Sequence, residues 1–127
     1  MAAFLSDEWL GALERAARDA GEVIDPEIDL VLEQIVTDDG GPEIAYHLII
    51  GDGRIQVGRG RASSPTVTFI TDRETAARVN RGLESAQTAF MTGRLRVSGD
   101  IQALLTHQQQ IAALDDLFAV LRADTTY

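Results

Sequence analysis

Apolar residues recur along this chain with two different periods, and the changes between them divide the sequence into helical and extended stretches. From Trp9 to Ala20 they return every three to four positions, the spacing of an amphipathic helix, and Gly21 ends the run. From Ile28 to Ile70 apolar and polar residues mostly alternate, which is typical of strands. The alternation predicts four strands, over residues 28–36, 43–50, 54–61 and 66–70.

Turn-forming residues separate these strands. Gly51-Asp52-Gly53 predicts a tight hairpin, because an Asp-Gly pair readily adopts positive φ angles. A dense turn signal over residues 38–42 separates the first two strands, and a Ser-Ser-Pro break at residues 63–65 separates the last two.

Helical spacing returns after the fourth strand. Thr71 and Glu74 stand three positions apart, which predicts a capping box at the start of a helix that Gly82 ends. A shorter helix through Phe90 and Met91 follows.

A glycine stop, a strand and a helix cap follow one another in residues 90–100. Gly93 suits the left-handed position that closes a helix. Leu95 and Val97 alternate with arginines and predict one half-buried strand. Asp100 is a favourable N-cap for the apolar helix that comes next.

After this junction an amphipathic pattern continues to Leu121, which would fit one helix or two with a bend near residues 108–110. The predicted order is therefore a helix, four strands, two helices, one strand and a terminal helix. Consecutive strands and clustered helices indicate an α+β fold with helices packed on one sheet face. The length of 127 residues and the lack of an interdomain linker favour one domain over residues 1–127.

Composition limits the classes of function. The formal charge is -9, so the domain as a whole repels nucleic acid and anionic lipid headgroups, and neither is an expected standing partner. All eleven basic residues are arginine, a bias that suggests a GC-rich bacterial genome. There is no cysteine, which excludes disulfides, thiolate metal sites and thiol nucleophiles. The N-terminus lacks a secretory signal and every apolar run is too short to span a bilayer, so we expect a cytoplasmic protein without stable membrane insertion.

The sequence gives little support for catalysis. His47 and His107 lack further ligands at metal-binding spacing, and no serine has the context of a nucleophile elbow. We therefore expect a protein that is not an enzyme, with no catalytic site, no bound metal and no cofactor. Carboxylates that converge in space from distant positions would be the remaining route to chemistry.

Glycine and arginine alternate at Gly58-Arg59-Gly60-Arg61. A phosphate-binding loop normally leads into a helix, whereas here a strand follows. These arginines are more typical of a protected sheet edge. A docking patch for an anionic headgroup or an acidic partner is the alternative.

Residues 90–100 read Phe-x-x-Gly-x-Leu-x-Val-x-Gly-Asp and precede an apolar helix. This arrangement resembles the signature of the sterol carrier protein type 2 family, and the resemblance covers roughly residues 26–121. It implies a five-stranded, mostly antiparallel sheet with helices on one face and an apolar cavity between them. The function it implies is non-catalytic binding, and transfer, of a lipid such as a fatty acid, a fatty acyl chain or a sterol-like molecule.

Apolar side chains from the predicted helices and strands would line that cavity, since leucine, phenylalanine and methionine adapt to irregular apolar ligands. Gln108 would offer a polar contact to a ligand hydroxyl or carboxylate. The expected ligand-binding residues are Leu32, Leu48, Phe69, Phe90, Met91, Leu95, Leu104, Leu105, Gln108, Ile111 and Phe118. The alternative function is an interaction module without a lipid ligand, which would form a homodimer or bind a separate protein.

Overall fold

The computed structural model describes residues 2–19, 27–38, 41–107, 121–122 and 125–126. Within these residues the elements follow the predicted order, with one two-residue strand added near each end. The strands are β1 (Ala2–Ala3), β2 (Leu30–Thr37), β3 (Ile44–Gly51), β4 (Arg54–Arg59), β5 (Val67–Asp72), β6 (Leu95–Gly99) and β7 (Thr125–Thr126). The helices are α1 (Asp7–Asp19), α2 (Arg73–Asn80), α3 (Ala86–Met91) and α4 (Ile101–Thr106).

Strands β2 to β6 form one sheet in the spatial order β4-β3-β2-β5-β6. Each neighbouring pair is antiparallel except β2 and β5, which run parallel. In the described part of the chain this sheet has five strands. The predicted α+β fold with a five-stranded, mostly antiparallel sheet is confirmed.

The hairpin between β3 and β4 turns through Asp52 (φ 54°) and Gly53 (φ 73°). Positive φ at both central residues gives a turn whose twist matches that of the flanking strands. Gly51 and Arg54 are the pair that closes the hairpin. The predicted turn is confirmed.

The segment from β4 to β5 crosses the sheet to bring β5 alongside β2. The Gly60 N–H donates to β3 at 2.8 Å, and the Thr66 N–H donates to β2, also at 2.8 Å. Between them the Ala62 N–H donates to the Glu33 carboxylate at 2.7 Å, and the Thr68 hydroxyl donates to the same carboxylate at 3.0 Å. Glu33 is buried, and its carboxylate fixes the position of the crossing segment. The sequence pattern gave no indication of this role.

The two faces of the sheet have different surroundings. The inner face, which carries Leu32, Leu48 and Val67, belongs to the hydrophobic core together with Trp9 and Leu13 of α1. These five side chains are almost completely buried, and each contributes roughly 1.5–3 kcal/mol relative to an exposed position. The outer face carries the residues that alternate with the inner ones along each strand.

Helix α2 begins one residue later than a Thr71 cap would place it. Asp72 is the N-cap, and its carboxylate accepts from the Thr75 N–H at 2.6 Å. Thr71 instead lies buried in β5 and donates its hydroxyl to the Arg94 carbonyl at 3.1 Å. The predicted capping box is wrong because β5 pairs with β2 as far as Asp72, which keeps Thr71 extended.

The predicted breaks around β6 are confirmed. Gly93 follows α3 with φ 78°, and the Asp100 carboxylate caps α4 by accepting from the Ala103 N–H at 3.0 Å. Gly99 has φ 102° and lies so close to β5 that a Cβ would be 2.5 Å from the Thr66 carbonyl oxygen. A side chain at this position would therefore separate β6 from β5.

The two-residue strands β1 and β7 pair in parallel, which the sequence did not predict. The Phe4 N–H extends this ladder by donating to the Thr126 carbonyl at 2.9 Å. Phe4 also packs edge-on against Trp9, with ring centroids 5.1 Å apart. The ladder therefore joins residues near both termini to the core beneath α1.

Candidate functional site

Four of the expected ligand-binding residues lie together on the inner face. Leu32 and Leu48 are paired across β2 and β3, and Leu32 is paired with Val67 of β5. Phe69 and Leu95 lie on the same face, nearer the β6 edge. The alternating pattern therefore places these side chains on one surface, as the resemblance implies.

Burial is uneven across this face. Leu32 is 2% and Leu48 is 1% exposed, because they pack in the core with α1. Leu95 of β6 is 8% exposed and therefore buried, but burial is incomplete at other positions on this part of the face. Phe69 of β5 and its cross-strand neighbour Val97 of β6 are only partly buried. Leu104 of α4 is likewise partly buried against the core. We call Phe69, Val97 and Leu104 the apolar wall.

A polar side chain interrupts the inner face beside this wall. Gln34 lies between Tyr46 of β3 and Phe69 of β5 in the sheet register. It is partly exposed, so its amide is within reach of a molecule bound at the wall. An uncharged donor and acceptor next to an apolar wall is suited to a ligand hydroxyl or carboxylate.

Tyr46, the neighbour of Gln34, is buried between the sheet and α1. Its ring packs edge-on against Trp9, with centroids 5.7 Å apart. Burial raises the pKa of the Tyr46 hydroxyl well above its ordinary value, because the phenolate would lose its hydration. The phenol is therefore neutral at physiological pH and adds no charge to the inner face.

Other expected lining residues lie apart from the buried face. Phe90 and Met91 of α3 are 53% and 76% exposed, and Leu105 of α4 is 53% exposed. Their contact with a ligand stays a prediction. Gln108, Ile111 and Phe118 lie outside the described residues, and their place in the site also stays a prediction.

A groove of about 630 Å³ lies at the hairpin end of the sheet, and most of the strand residues that line it belong to the outer face. Apolar Val31 and Ile49 share its lining with Asp29, Asp52 and Arg54. A groove lined by three charged groups is poorly suited to an acyl chain, because those groups would lose hydration on contact with the chain. The apolar wall of the inner face is the better candidate for a lipid.

The arginines of the Gly-Arg-Gly-Arg stretch are paired with carboxylates. Arg59 donates to Asp7 of α1 at 2.7 Å, and Arg61 donates to Glu43 through Nε at 3.1 Å and through Nη2 at 2.6 Å. The hydrogen bond and charge of Glu43 raise the pKa of the Arg61 guanidinium. Both arginine charges are therefore neutralised by carboxylates of the same domain, as expected for the protected edge strand β4.

Across the described part of the chain, no group of three or more histidine, aspartate or glutamate side chains could hold a metal ion. His47 lies over Gly58 of the neighbouring strand, and its Nδ1 is 2.9 Å from the Gly60 carbonyl oxygen. This histidine has a packing role on the outer face. None of the described helices is long and apolar enough to cross a membrane.

Val97 and Gln34 are candidate site residues that the sequence-based selection omitted. Val97 lies two positions after Leu95, and Gln34 lies two positions after Leu32. Because side chains alternate along a strand, this spacing was sufficient to place both on the inner face. Val97 is smaller than the apolar residues expected to line a lipid site, and Gln34 is polar, so neither was predicted.

Residues 13–112 match the family model described as the SCP-2 sterol transfer family. This match spans more than three quarters of the chain and includes every element from β2 to α4. The chain belongs to the SCP-2 sterol transfer family. The family predicted from the motif at residues 90–100 is therefore confirmed.

Solved structures have the same fold at low sequence identity. A crystal structure of sterol carrier protein 2 is 23% identical with a TM-score of 0.71, and the match covers 94% of this chain and 97% of that chain. A conserved hypothetical protein from Thermus thermophilus is 20% identical with a TM-score of 0.69, over 100% and 93% of the two chains. Palmitated SCP2L2 from Aedes aegypti is 18% identical with a TM-score of 0.58, over 84% and 91%. A comparison with curated protein sequences found no match.

Proposed function

We propose that this SCP-2 family domain binds an apolar lipid non-catalytically and transfers it, with a fatty acid or fatty acyl chain as the ligand class. The observation that carries the proposal is the incomplete covering of the inner face beside β5 and β6. Phe69, Val97 and Leu104 pack against the core but keep part of their apolar surface accessible. A similar solved structure is described as palmitated, which supports an acyl ligand.

The hydrophobic effect favours an acyl chain at this wall. Removing apolar surface from water contributes about 25 cal/mol for each Å² buried, and both the ligand and the wall lose such surface on binding. The contact requires no charged side chain to be desolvated, since the three wall residues are apolar. The driving force for binding thus comes from the same inner face that forms the core.

Gln34 is the proposed polar contact for the ligand headgroup. Its amide can donate to a carboxylate and can also accept from a hydroxyl. A carboxylate at position 34 would repel a fatty acid but not a fatty alcohol of the same length. Gln34→Glu should therefore weaken fatty acid binding about tenfold or more, while fatty alcohol binding changes much less.

Displacement of a fluorescent fatty acid from the purified domain tests the proposal. Val97→Phe would occupy part of the space at the wall, so we expect weaker binding with little loss of stability. Ile49→Phe adds bulk on the outer face, where Ile49 is 38% exposed, and should leave binding unchanged. Native mass spectrometry of the wild-type protein should also show bound lipid.

Two results would contradict the proposal. Equal loss of binding in Val97→Phe and Ile49→Phe would remove the inner face as the site. A protein without bound lipid that neither binds nor exchanges the fluorescent fatty acid, and that forms a dimer in light scattering, would favour the interaction module instead.

A further inference from the structure

Several arginines surround the loop between α2 and α3. Glu84 lies in this loop with its side chain only 7% exposed, 3.6 Å from Arg78 Nε and in contact with the Arg94 guanidinium. Arg122 Nε donates to the carbonyl of the last residue of α2 at 2.7 Å, and Arg81 is the C-cap of that helix. Among the described residues, two arginines therefore pair with one buried carboxylate, and two more lie at the end of α2 beside the same loop.

The charge of this region is opposite to that of the chain as a whole. Residues 73–96 contain five of the eleven arginines but only two of the twenty acidic residues, in a protein of formal charge -9. No acidic residue occurs from position 85 to position 99. The local excess of positive charge is thus a property of α2, α3 and the start of β6.

Large apolar side chains are exposed next to these arginines. Leu83 in the loop is 57% exposed, and Phe90 and Met91 at the end of α3 are 53% and 76% exposed. Arg94 lies close to the end of α3, since its Nε donates to the Thr92 hydroxyl at 3.1 Å. We call this surface the α3 patch, consisting of Leu83, Phe90, Met91, Arg78, Arg81, Arg94 and Arg122.

We propose that the α3 patch docks the domain on the surface of an anionic lipid bilayer. The arginines would attract acidic headgroups, and the exposed apolar side chains would insert at the boundary between headgroups and acyl chains. This docking is peripheral and requires no membrane-spanning helix. The inference rests on the proposed function, since a bilayer is where a lipid carrier would collect or deliver its ligand.

Size and charge favour a bilayer over a protein partner. A stable protein interface usually needs about 20–30 residues from each side. The α3 patch offers three exposed apolar side chains on a six-residue helix and its preceding loop. Three inserting side chains and a few arginines suffice for reversible binding to a charged bilayer, where each arginine near the surface adds roughly fivefold in affinity.

Vesicle co-flotation of the full chain tests the inference. We expect binding to vesicles of mixed phosphatidylglycerol and phosphatidylcholine, weaker binding as salt is raised, and far weaker binding to phosphatidylcholine alone. Phe90→Ser combined with Met91→Ser should reduce binding about tenfold or more, because less apolar surface can insert. Arg81→Gln should reduce it by roughly fivefold.

Matched controls lie at the other side of the sheet. Ile49→Ser removes an exposed apolar residue of β3, and Arg54→Gln removes one exposed charge from β4, at the opposite edge from β6. Both controls should bind vesicles as the wild type does. Thermal unfolding of all variants would show that each is folded.

Vesicle binding that does not depend on lipid charge would overturn the docking proposal. An equal decrease of binding in the α3 patch variants and in their controls would also overturn it. The proposal would also be overturned if the protein did not bind vesicles but self-associated, and if changing Phe90 and Met91 abolished that self-association. The α3 patch would then bind a second copy of the chain. Fatty acid displacement without vesicles keeps the two proposals separate. Vesicle binding without fatty acid binding would support the α3 patch and remove the lipid-carrier function, whereas fatty acid binding without vesicle binding would do the reverse.

Discussion

At the scale of single residues, Gly99 shows how close backbone approach fixes a position to glycine. Its φ of 102° disfavours any side chain, and a Cβ would lie 2.5 Å from the Thr66 carbonyl oxygen. The same oxygen accepts from the Asp100 N–H at 2.8 Å, so a shift here would also disturb the cap of α4. Gly99→Ala should lower the free energy of unfolding by about 3 kcal/mol, measured by urea denaturation.

Gly60→Ala is the matched control for this substitution. Gly60 has φ 81°, but beyond its two chain neighbours no residue comes within 4 Å of a Cβ built there. Only the backbone strain remains, so the loss should be about 1 kcal/mol. Equal losses in the two variants would show that close contact between β6 and β5 is not what requires glycine at position 99.

Tyr46 should make the folded domain less stable at alkaline pH. Because burial raises the pKa of its hydroxyl above the ordinary value of 10.0, the unfolded chain releases this proton more readily than the folded one. The contribution of the protonated Tyr46 hydroxyl to the free energy of unfolding is fully present below pH 10.0 and is lost as pH rises above that value. Each further pH unit should lower the free energy of unfolding by roughly 1.4 kcal/mol.

Tyr46→Phe tests this pH dependence directly. The variant has no proton to release at position 46, so its free energy of unfolding should decline less steeply above pH 10.0 than that of the wild type. Denaturant titrations over a series of alkaline pH values measure both slopes. Parallel slopes would contradict the assignment to Tyr46.

At the scale of elements, Glu84 connects α2, α3 and the start of β6. Its carboxylate pairs with Arg78 and Arg94, whose side chains are 46% and 40% exposed. Glu84→Gln removes the charge, while both arginines can still be hydrated, so the loss should be about 1 kcal/mol. Hydrogen exchange of the α3 amides should become roughly fivefold faster, while exchange in α1 should not change.

Glu43→Gln is a control with the same chemical change. Its pair with Arg61 is largely exposed, with side chains 61% and 41% accessible for Arg61 and Glu43, so little stability should be lost. Faster exchange in α3 caused by Glu43→Gln, or none caused by Glu84→Gln, would show that the buried carboxylate does not hold α3 in place.

The elements that sequence reasoning predicted well are those defined by neighbouring residues. The Asp52-Gly53 hairpin and the Gly93 stop depend on local φ preferences, and the Asp100 cap depends on a contact three residues away. The Thr71 cap failed because pairing of β5 with β2, a long-range contact, kept this residue in the sheet. The parallel pairing of β2 and β5 was not predicted from the residues for the same reason.

The candidate site follows the same division. The alternation of side chains along each strand placed Leu32, Leu48 and Phe69 on one face, because this alternation is a local property of the sequence. The degree of burial was not predictable, since it depends on which helix covers which strand. The ion pairs of Glu84 join elements that are distant in sequence, so no spacing rule could reveal them.

At the scale of the whole molecule, two surfaces have separate proposed roles. The inner face supplies the core under α1 and the apolar wall near β6, which is the proposed lipid site. The α3 patch lies at the same side of the sheet, since α3 contacts β6. A docked α3 patch would therefore bring the β6 side of the domain, with the apolar wall, toward the bilayer.

The opposite edge of the sheet has a different character. Arg59 and Arg61 are neutralised by Asp7 and Glu43, and the nearby outer-face groove is lined in part by Asp29 and Asp52. This distribution leaves the excess positive charge near α3 in a chain that is acidic overall. The orientation on a bilayer is thus set by charge as well as by exposed apolar residues.

Nuclear magnetic resonance titration of the isotopically labelled domain with a fatty acid distinguishes the two sheet faces most directly. We predict chemical shift changes at Phe69, Val97 and Leu104 and at the side-chain amide of Gln34, with Ile49 and Gln56 of the outer-face groove unaffected. Changes confined to the groove residues, or no changes at saturating fatty acid, would contradict lipid binding at the inner face.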